Sequence, residues 1–400
     1  MIKNRLIACA KYLFLFSFLS VCISPDLYAF FGHSDREKRR HAEYPNPQAV
    51  GESTQPRQIA LLLPLTGKHA DSAKAIREGF FASFYQQSGQ KPIVKVYDTT
   101  KEQDVQRVYD LAISEGADFV VGPLSKEDVH RLSLSSLRTP VLALNSHPDV
   151  RQTRQFIQYA LAPEAEAEQI ADKAWQKGYR HAGLIVPDNA WGKRTQTAFT
   201  NQWQRHGGRV VRTVYTNPSH DQSAPVRKLL GIDESQQRAN HIKNVLGEKV
   251  DFQPRRRKDM DVIVMAAPPD QARQLKPLFD FYYAEDLPVY ATSSVYTGHP
   301  NAKRDRDMNG VIFCDMPWLV DSEQGTHLRQ LLSQAENQSD QYNRLFAMGV
   351  DAYQISTSFN RLQAGASFTG ATGQLSLINN QIQRQLSFAK IVDGVPSRFN

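Results

Sequence analysis

The sequence contains little cysteine: three residues in a chain of 400. Two of them, Cys9 and Cys22, precede Ala29, after which we predict that a secretory signal is cleaved, so the mature chain keeps only Cys314. A single cysteine excludes an intrachain disulfide and any metal site built on paired cysteines. Cys314 lies in the apolar stretch GVIFCDMPW, which predicts a small buried strand residue rather than a reactive thiol.

The sequence also lacks the common catalytic and metal-binding motifs. It has no Gly-x-Ser-x-Gly nucleophile turn, no His-Glu-x-x-His zinc helix and no phosphate loop ending in Gly-Lys-Ser or Gly-Lys-Thr. Its histidines, such as His69, His130 and His181, are scattered singly. We therefore predict a non-enzymatic protein with no catalytic residue, no metal site and no cofactor.

One apolar run near the N-terminus predicts a targeting segment. The basic segment MIKNRLIACAK precedes the run YLFLFSFLSVCIS, and Pro25 ends that run before DLYA. The run is shorter than the roughly 20 residues of a membrane-spanning helix, and the whole pattern over residues 1–29 matches a secretory signal peptide. Lipid attachment at Cys22 is the alternative, but Val21 is bulky at a position where a small residue is expected.

Positive charge exceeds negative charge. The formal net charge is +7, and removing residues 1–29 takes away three basic residues and one acidic residue, which leaves +5. Residues 30–56 are polar and interrupted by prolines, which predicts a flexible linker. The basic run Arg255–Lys258 follows a proline, so it is either a solvated loop or a contact for anionic glycan or a protein partner. Aromatic interleaving typical of nucleic-acid binding does not occur there, and no nucleic-acid partner is predicted.

From Arg57 onward, strand patterns alternate with helix patterns. The apolar run QIALLLPL precedes an amphipathic helix, and PIVKVYDT, ADFVVGPL and TPVLALN continue the series to about residue 146. A second series begins after FIQYALAP and includes HAGLIVP, RVVRTVYT and DVIVMAAP. Such alternation predicts parallel, doubly wound sheets in two lobes. Near the C-terminus, alternating residues around Asn379 and Asn380 predict a hairpin.

Several of these motifs together resemble one family. The segments IALLLPLTG, VVGPLSKE, GLIVPDNAWGKR, DVIVMAAPPDQARQLKPLFDFYYAEDLPVYATS and GATGQLSL occur in order, and over residues 57–400 the chain resembles the C-terminal domain of the LppC/LpoA family of penicillin-binding protein activators. The resemblance implies a type I periplasmic-binding-protein fold, with two Rossmann-like lobes of parallel sheets joined by three crossings. It also implies that a class A penicillin-binding protein is the partner, and a periplasmic location, with attachment to the outer membrane left open.

The implied fold leads to an expected domain plan. Residues 1–29 form the signal peptide and residues 30–56 the linker. Lobe 1 is expected to comprise residues 57–162 and about 292–340, and lobe 2 residues 163–291 and about 341–400. The three crossings are expected near Leu161–Glu164, Pro288–Ser294 and Met316–Leu319.

A candidate binding cleft follows from the same plan, because ligands of open α/β sheets settle beyond the carboxyl ends of the strands. The residues expected at these ends are Thr66, Gly67, Gly122, Ser125, Asn145, Ser146, Asp188, Trp191, Ser293 and Tyr296. Structural roles compete with this interpretation. Ser125 with Asp128 fits a helix cap, and the two glycines fit tight turns.

Two functions from different classes remain open on the sequence. In the first, the protein contacts and activates a peptidoglycan synthase and its cleft has no ligand. In the second, it is a periplasmic receptor that closes on an amino acid or a peptidoglycan fragment and serves an ABC transporter or a sensor. The chemistry of the cleft distinguishes them, because a receptor needs converging partners for the carboxylate and ammonium of an amino acid.

Overall fold

The computed structural model describes residues 55–101, 104–247, 251–320 and 340–399. The predicted signal peptide, and the predicted linker up to residue 54, lie outside the described residues.

Strands and helices alternate as the sequence predicts. The strands are β1 (Gln58–Leu63), β2 (Ile93–Asp98), β3 (Phe119–Val121), β4 (Val141–Ala143), β5 (Phe156–Gln158), β6 (His181–Pro187), β7 (Arg209–Thr216), β8 (Val262–Met265), β9 (Val289–Ala291), β10 (Ile312–Asp315), β11 (Phe368–Thr369), β12 (Gln374–Ile378), β13 (Gln381–Gln385), β14 (Ser387–Val392) and β15 (Val395–Arg398). The helices are α1 (Ala70–Gln86), α2 (Val105–Ser114), α3 (Lys126–Ser133), α4 (Pro163–Gln176), α5 (Ala190–Arg205), α6 (Ser223–Leu230), α7 (Ile232–Leu246), α8 (Pro269–Phe281), α9 (Ala302–Asp305), α10 (Pro317–Val320), α11 (Asp340–Thr357) and α12 (Phe359–Gln363).

The described strands form two sheets, and this confirms the predicted α/β class with two lobes. The first sheet has the order β11-β12-β13-β5-β4-β3-β1-β2, and the second has the order β15-β14-β10-β9-β8-β6-β7. In each sheet the strands from the two predicted series are parallel. C-terminal strands extend one edge of each sheet: β13 joins β5 in parallel and carries the antiparallel β12, and β14 joins β10 antiparallel. The predicted hairpin at Asn379 and Asn380 is β12–β13, and both turn residues have positive φ, as a tight hairpin turn requires.

Both faces of the first sheet are covered, which explains why all six residues of β1 are buried. Ile59, Leu61 and Leu63 pack in a cluster with residues of α1 and α11, and Ala60 and Leu62 pack in another with residues of α2 and α3. Alternate side chains of a strand point to opposite faces, so a sheet with helices on both sides needs a continuous apolar strand.

The assignment of the C-terminal segments to lobes is wrong in two places. Strand β10 pairs with β9 in the second sheet, although residues 292–340 were expected in lobe 1. Strands β12 and β13 extend the first sheet through β5, although residues 341–400 were expected in lobe 2. The pattern of a strand indicates that it is half-buried, but it does not identify the neighbour to which the strand bonds.

The expected second crossing is also misplaced. The chain passes from the first sheet to the second between β5 and α4, as expected for Leu161–Glu164, and leaves the second sheet after β10, next to the expected Met316–Leu319. At Pro288–Ser294, however, the chain stays within the second sheet. The remaining crossing is at Leu386, the single residue between β13 and β14.

The two lobes share a packed interface in addition to these crossings. On the side of the first lobe, helix α11 packs against α1, and a β-carbon at Gly349 would lie 2.0 Å from the carbonyl oxygen of Ile76, so only glycine permits this approach. Ala75 of α1 and Phe346 and Val350 of α11 belong to the same buried apolar cluster as Tyr296 of the second lobe. A shared apolar core opposes separation of the lobes.

Candidate functional site

A cavity of about 1360 Å³ lies at the carboxyl ends of the strands, with walls from both lobes. Five of the residues predicted for the cleft line it: Ser125, Asn145, Trp191, Ser293 and Tyr296. The other five do not belong to its lining: Thr66, Gly67, Gly122, Ser146 and Asp188. The structure thus brings half of the predicted set together around one cavity, and whether that cavity holds a ligand stays a proposal.

Gly122 has a structural reason to be glycine. Its φ is 107°, and an added β-carbon would lie 2.1 Å from the carbonyl oxygen of Leu62. The residue therefore serves the close packing of β3 beside β1, beneath the cavity. Asp188, another predicted residue outside the lining, forms an ion pair with Lys193 at 3.3 Å.

Ser125 and Asn145 line the cavity, but their side-chain polar atoms form hydrogen bonds within the protein. The Ser125 hydroxyl donates to Asp128 Oδ2 at 2.7 Å and accepts from the Asp128 amide at 3.1 Å, so it caps helix α3 as the structural interpretation predicted. Asn145 Nδ2 donates to the carbonyl of Leu124 at 3.0 Å, and its Oδ1 accepts from the amide of Ser146 at 2.9 Å. Both side chains fix loops at the strand ends.

Glu166 is a lining residue that the sequence analysis did not select. Its carboxylate accepts the amide of Ser293 at 2.9 Å and the Ser293 hydroxyl at 2.8 Å. Burial raises the pKa of the Glu166 carboxyl, and the negative charge of Asp315 raises this pKa further. The Ser293 hydroxyl is therefore hydrogen-bonded to a carboxylate of its own lobe.

Arg344 is a second lining residue that was missed, and it links the lobes. From helix α11 its Nε donates to Asp315 Oδ1 at 3.2 Å, and Nη2 donates to the carbonyls of Ser293 at 3.1 Å and Tyr296 at 3.0 Å. Asp315, at the end of β10, is buried. Arg344 also pairs with Asp315 Oδ2, so a residue of the first lobe satisfies four acceptor atoms of the second. The sequence gives no signal for this arrangement, because its members lie on separate elements.

Tyr296 and Trp191 differ in their surroundings. Tyr296 is buried, with its ring 5.3 Å from that of Phe313, so it fills the junction between the lobes rather than stacking on a ligand. Trp191 is half-buried at the start of α5, and the neighbouring Arg194 forms an ion pair with Glu164 at 3.0 Å. The exposed rim of the cavity includes Lys68 and Lys126.

Cys314 is fully buried in β10, as predicted. Burial raises the pKa of its thiol well above the ordinary range, so the thiol is neutral at physiological pH. Over the ranges that the structure covers, no group of three or more His, Cys, Asp or Glu side chains is arranged to hold a metal ion. No described helix has both the length and the apolar character needed to cross a membrane.

Comparison with known proteins adds to this geometry. The model of a family described as LppC putative lipoprotein matches residues 50–394. The penicillin-binding protein activator LpoA of Vibrio antiquarius is 30% identical over 348 residues, which are 84% of this chain and 57% of that protein. The chain therefore spans little more than half the length of the curated relatives it matches.

Two solved structures from Haemophilus influenzae are similar in fold. The C-domain of LpoA, described as a regulator of PBP1A, matches with a TM-score of 0.68 at 27% identity, over 86% of this chain and 100% of that domain. Full-length LpoA matches with a TM-score of 0.69 at 27% identity, over 86% of this chain and 59% of that protein. The likeness thus extends over the whole of the solved C-domain.

Proposed function

This chain belongs to the LppC putative lipoprotein family, and from that membership we propose that it binds a class A penicillin-binding protein and activates peptidoglycan synthesis by direct contact. The observation that carries the proposal is the match to the LpoA C-domain, which covers 100% of that domain and 86% of this chain. A protein that regulates a synthase through a domain of this fold needs a surface for the partner and no reaction of its own.

The chemistry of the cavity supports a non-enzymatic role. The hydroxyl groups of Ser125 and Ser293 donate to Asp128 and Glu166, and neither is paired with a histidine base within the described residues. We propose that the protein acts without catalysis, metal or cofactor.

The alternative of a solute receptor is not favoured. The carboxylate of Glu166 is held by Ser293, and the guanidinium of Arg344 is held by Asp315 and two carbonyls. Arg194 is paired with Glu164. These three charged groups of the lining are therefore already engaged, and the other charged lining residues Lys68, Lys126 and Glu127 lie on its exposed rim.

We further propose that the protein works in the periplasm. Attachment to the outer membrane is a separate proposal, which the chemistry of the N-terminus tests. The predicted signal peptide and the description of the family as putative lipoproteins support this location. Mass spectrometry of the native N-terminus distinguishes a chain that begins at Phe30 from one that begins with a lipid-bearing Cys22. Because the chain is basic, we also propose that it contacts anionic glycan.

Reconstitution tests the proposed function. Purified protein is titrated into a class A synthase with its lipid-linked precursor, and glycan polymerisation and peptide cross-linking are measured at low and high salt. We expect at least one rate to rise with saturation, and the binding to weaken with salt because charge attraction is screened. A type I periplasmic binding protein of similar size is the control. If both rates stay constant at saturating protein and no complex forms at low salt, the proposed function is wrong.

A further inference from the structure

Helix α7 carries an apolar stripe that continues beyond the core. Its buried residues Ile232, Ser235 and Ala239 lie at helical spacing, and Ile242 and Leu246 extend the same face. Ile242, Val245 and Leu246 are nevertheless exposed by 48%, 70% and 60%. The last turns of α7 thus present aliphatic side chains to solvent, where each is costly unless a partner covers it.

The end of helix α8 adds two exposed aromatic residues. Phe281 and Tyr283 are exposed by 71% and 59%. Tyr283 has a φ of 62°, in the left-handed region where glycine is the favoured residue at a helix end. The chain therefore keeps an exposed aromatic side chain at a position where it is conformationally unfavourable, and such positions concentrate at functional surfaces.

The segment Arg255–Arg257 joins the start of α7 to the end of α8. The amide of Arg255 donates to Ser235 Oγ of α7 at 3.2 Å, and Arg256 Nε donates to the carbonyl of Tyr283 at 2.9 Å. Arg256 also pairs with Asp286, and its side chain is buried. We call the region formed by Ile242, Val245, Leu246, Phe281, Tyr283 and the basic residues beside them the α7–α8 surface.

The α7–α8 surface has an excess of positive charge after its internal ion pairs are counted. The pairs within it are Arg227–Asp233, Arg212–Glu234, Arg256–Asp286, Arg257–Asp259 and Lys276–Asp280. Four further cations make no ion pair with any described residue: Arg238, Lys243, Arg255 and Lys258. Two carboxylates, Asp251 and Glu285, are likewise left over. A partner that complements this surface carries apolar side chains surrounded by acidic ones.

We propose that the α7–α8 surface is where the class A synthase docks, through an acidic surface of the synthase with apolar side chains at its centre. This inference rests on the proposed function and assigns the contact with the synthase to the α7–α8 surface. Apolar contact with Val245, Leu246 and the two aromatic residues would supply most of the affinity, and the unpaired cations would speed the encounter. The carboxylates interspersed among the cations disfavour an anionic membrane as the occupant.

The apolar part is tested with the triple variant Ile242→Ser, Val245→Ser, Leu246→Ser. We expect its affinity for the synthase to fall at least about tenfold, since a few central residues carry most of the energy of an interface. Its thermal midpoint should stay near that of the parent, because the replaced side chains are exposed. The matched control is Tyr85→Ser, Ile93→Ser, which removes two exposed apolar side chains of the first lobe and should leave binding unchanged.

The charged part is tested with Arg255→Glu, Lys258→Glu. We expect its association rate to be about tenfold lower than that of the parent at low salt, and the difference to vanish near 1 M salt, where the Debye length is about 3 Å. Binding of the parent chain to vesicles of anionic lipid is measured in parallel.

The outcomes separate the two proposals. If the parent chain neither binds nor activates the synthase, the proposed function fails and the docking surface fails with it. If the parent binds but the triple variant binds equally well, only the docking surface is wrong. Binding of the parent to anionic vesicles that the triple variant loses would overturn the assignment to the synthase. Loss of synthase binding in the triple variant and not in its control supports the inference.

Discussion

Asp351 is a fully buried carboxylate of helix α11 that joins this helix to the C-terminal strands of the first sheet. Its Oδ1 accepts the amide of Ala371 at 2.6 Å, and its Oδ2 accepts the amide of Thr372 at 2.8 Å and the Tyr159 hydroxyl at 3.3 Å. Burial raises the pKa of Asp351 to about 6, although these donors favour the ionised form. Ala371 and Thr372 lie in the segment GATG, one of the motifs that carried the family resemblance, so its local function is structural.

This carboxyl should make stability depend on pH. Its pKa in the folded chain is about 6, above the ordinary value of 3.8, so the folded state holds a proton that the unfolded state has lost between these values. The contribution is fully present below pH 4 and is lost as the pH rises through 6, and it amounts to at most about 3 kcal/mol. Urea unfolding of the parent and of Asp351→Asn at pH 4, 5, 6 and 7 checks this.

The difference between these two proteins isolates Asp351 from other titrating groups. We expect the free energy of unfolding of the parent to approach that of the variant as the pH rises. The variant itself should be less stable at pH 4 by about 1–3 kcal/mol. The Nδ2 group of the new asparagine cannot accept the hydrogen bond of the backbone amide that faces it, Ala371 or Thr372. Asp149→Asn, at an exposed position, is the control and should follow the parent. Parallel curves for the parent and Asp351→Asn would contradict the assigned pKa.

At the scale of elements, the contact of α1 with α11 leaves no room for a larger side chain at Gly349. A β-carbon at Gly349 would lie 2.0 Å from the Ile76 carbonyl oxygen, so the helices must move apart to admit it. We expect Gly349→Ala to lower the free energy of unfolding by about 3 kcal/mol, the upper part of the range for overpacked cores. The control, Gln354→Ala on the same helix, should change it by less than about 1 kcal/mol. Equal chemical denaturation curves for the two variants would show that the helices adapt at little cost.

The sequence predicts individual strands, helices and turns better than it predicts which of them are neighbours in the fold. The alternation of strands and helices, the hairpin at Asn379 and the cap of α3 by Ser125 depend on residues a few positions apart, and each is confirmed. The sheet to which β10 and β13 belong depends on pairing between distant segments, which periodicity does not encode. For the same reason, the cavity residues at strand ends were partly found, whereas Arg344 with Asp315 was not.

At the scale of the whole molecule, the two lobes are held by more than their crossings. The apolar cluster that includes Ala75, Phe346 and Tyr296 spans both lobes, and Arg344 binds Asp315 across the same junction. Closure of the cavity around a solute would have to rearrange this packing. Hinge motion of the two lobes as independent bodies is therefore opposed by the interface between them.

Titration with free amino acids tests this property of the molecule. We expect no binding tighter than the millimolar range, because Glu166, Arg194 and Arg344 of the cavity lining are engaged with the protein. Isothermal titration calorimetry with each common amino acid provides the measurement, and an amino-acid-binding protein of the same fold provides the positive control. Micromolar binding that Asn145→Ala abolishes would favour the receptor function instead.

The crossing at Leu386 has a consequence for the order in which the chain can fold. Both sheets receive a strand that follows β1–β12 in the chain: β13 pairs with β5, and β14 pairs with β10. Until these residues emerge, both β5 and β10 keep an open edge, and open edges are sites of wrong association. Neither sheet is complete before β13 and β14 are made, and one short segment completes both. For a polypeptide with a predicted export signal, this late completion favours an unfolded chain during translocation and folding only on the far side of the membrane.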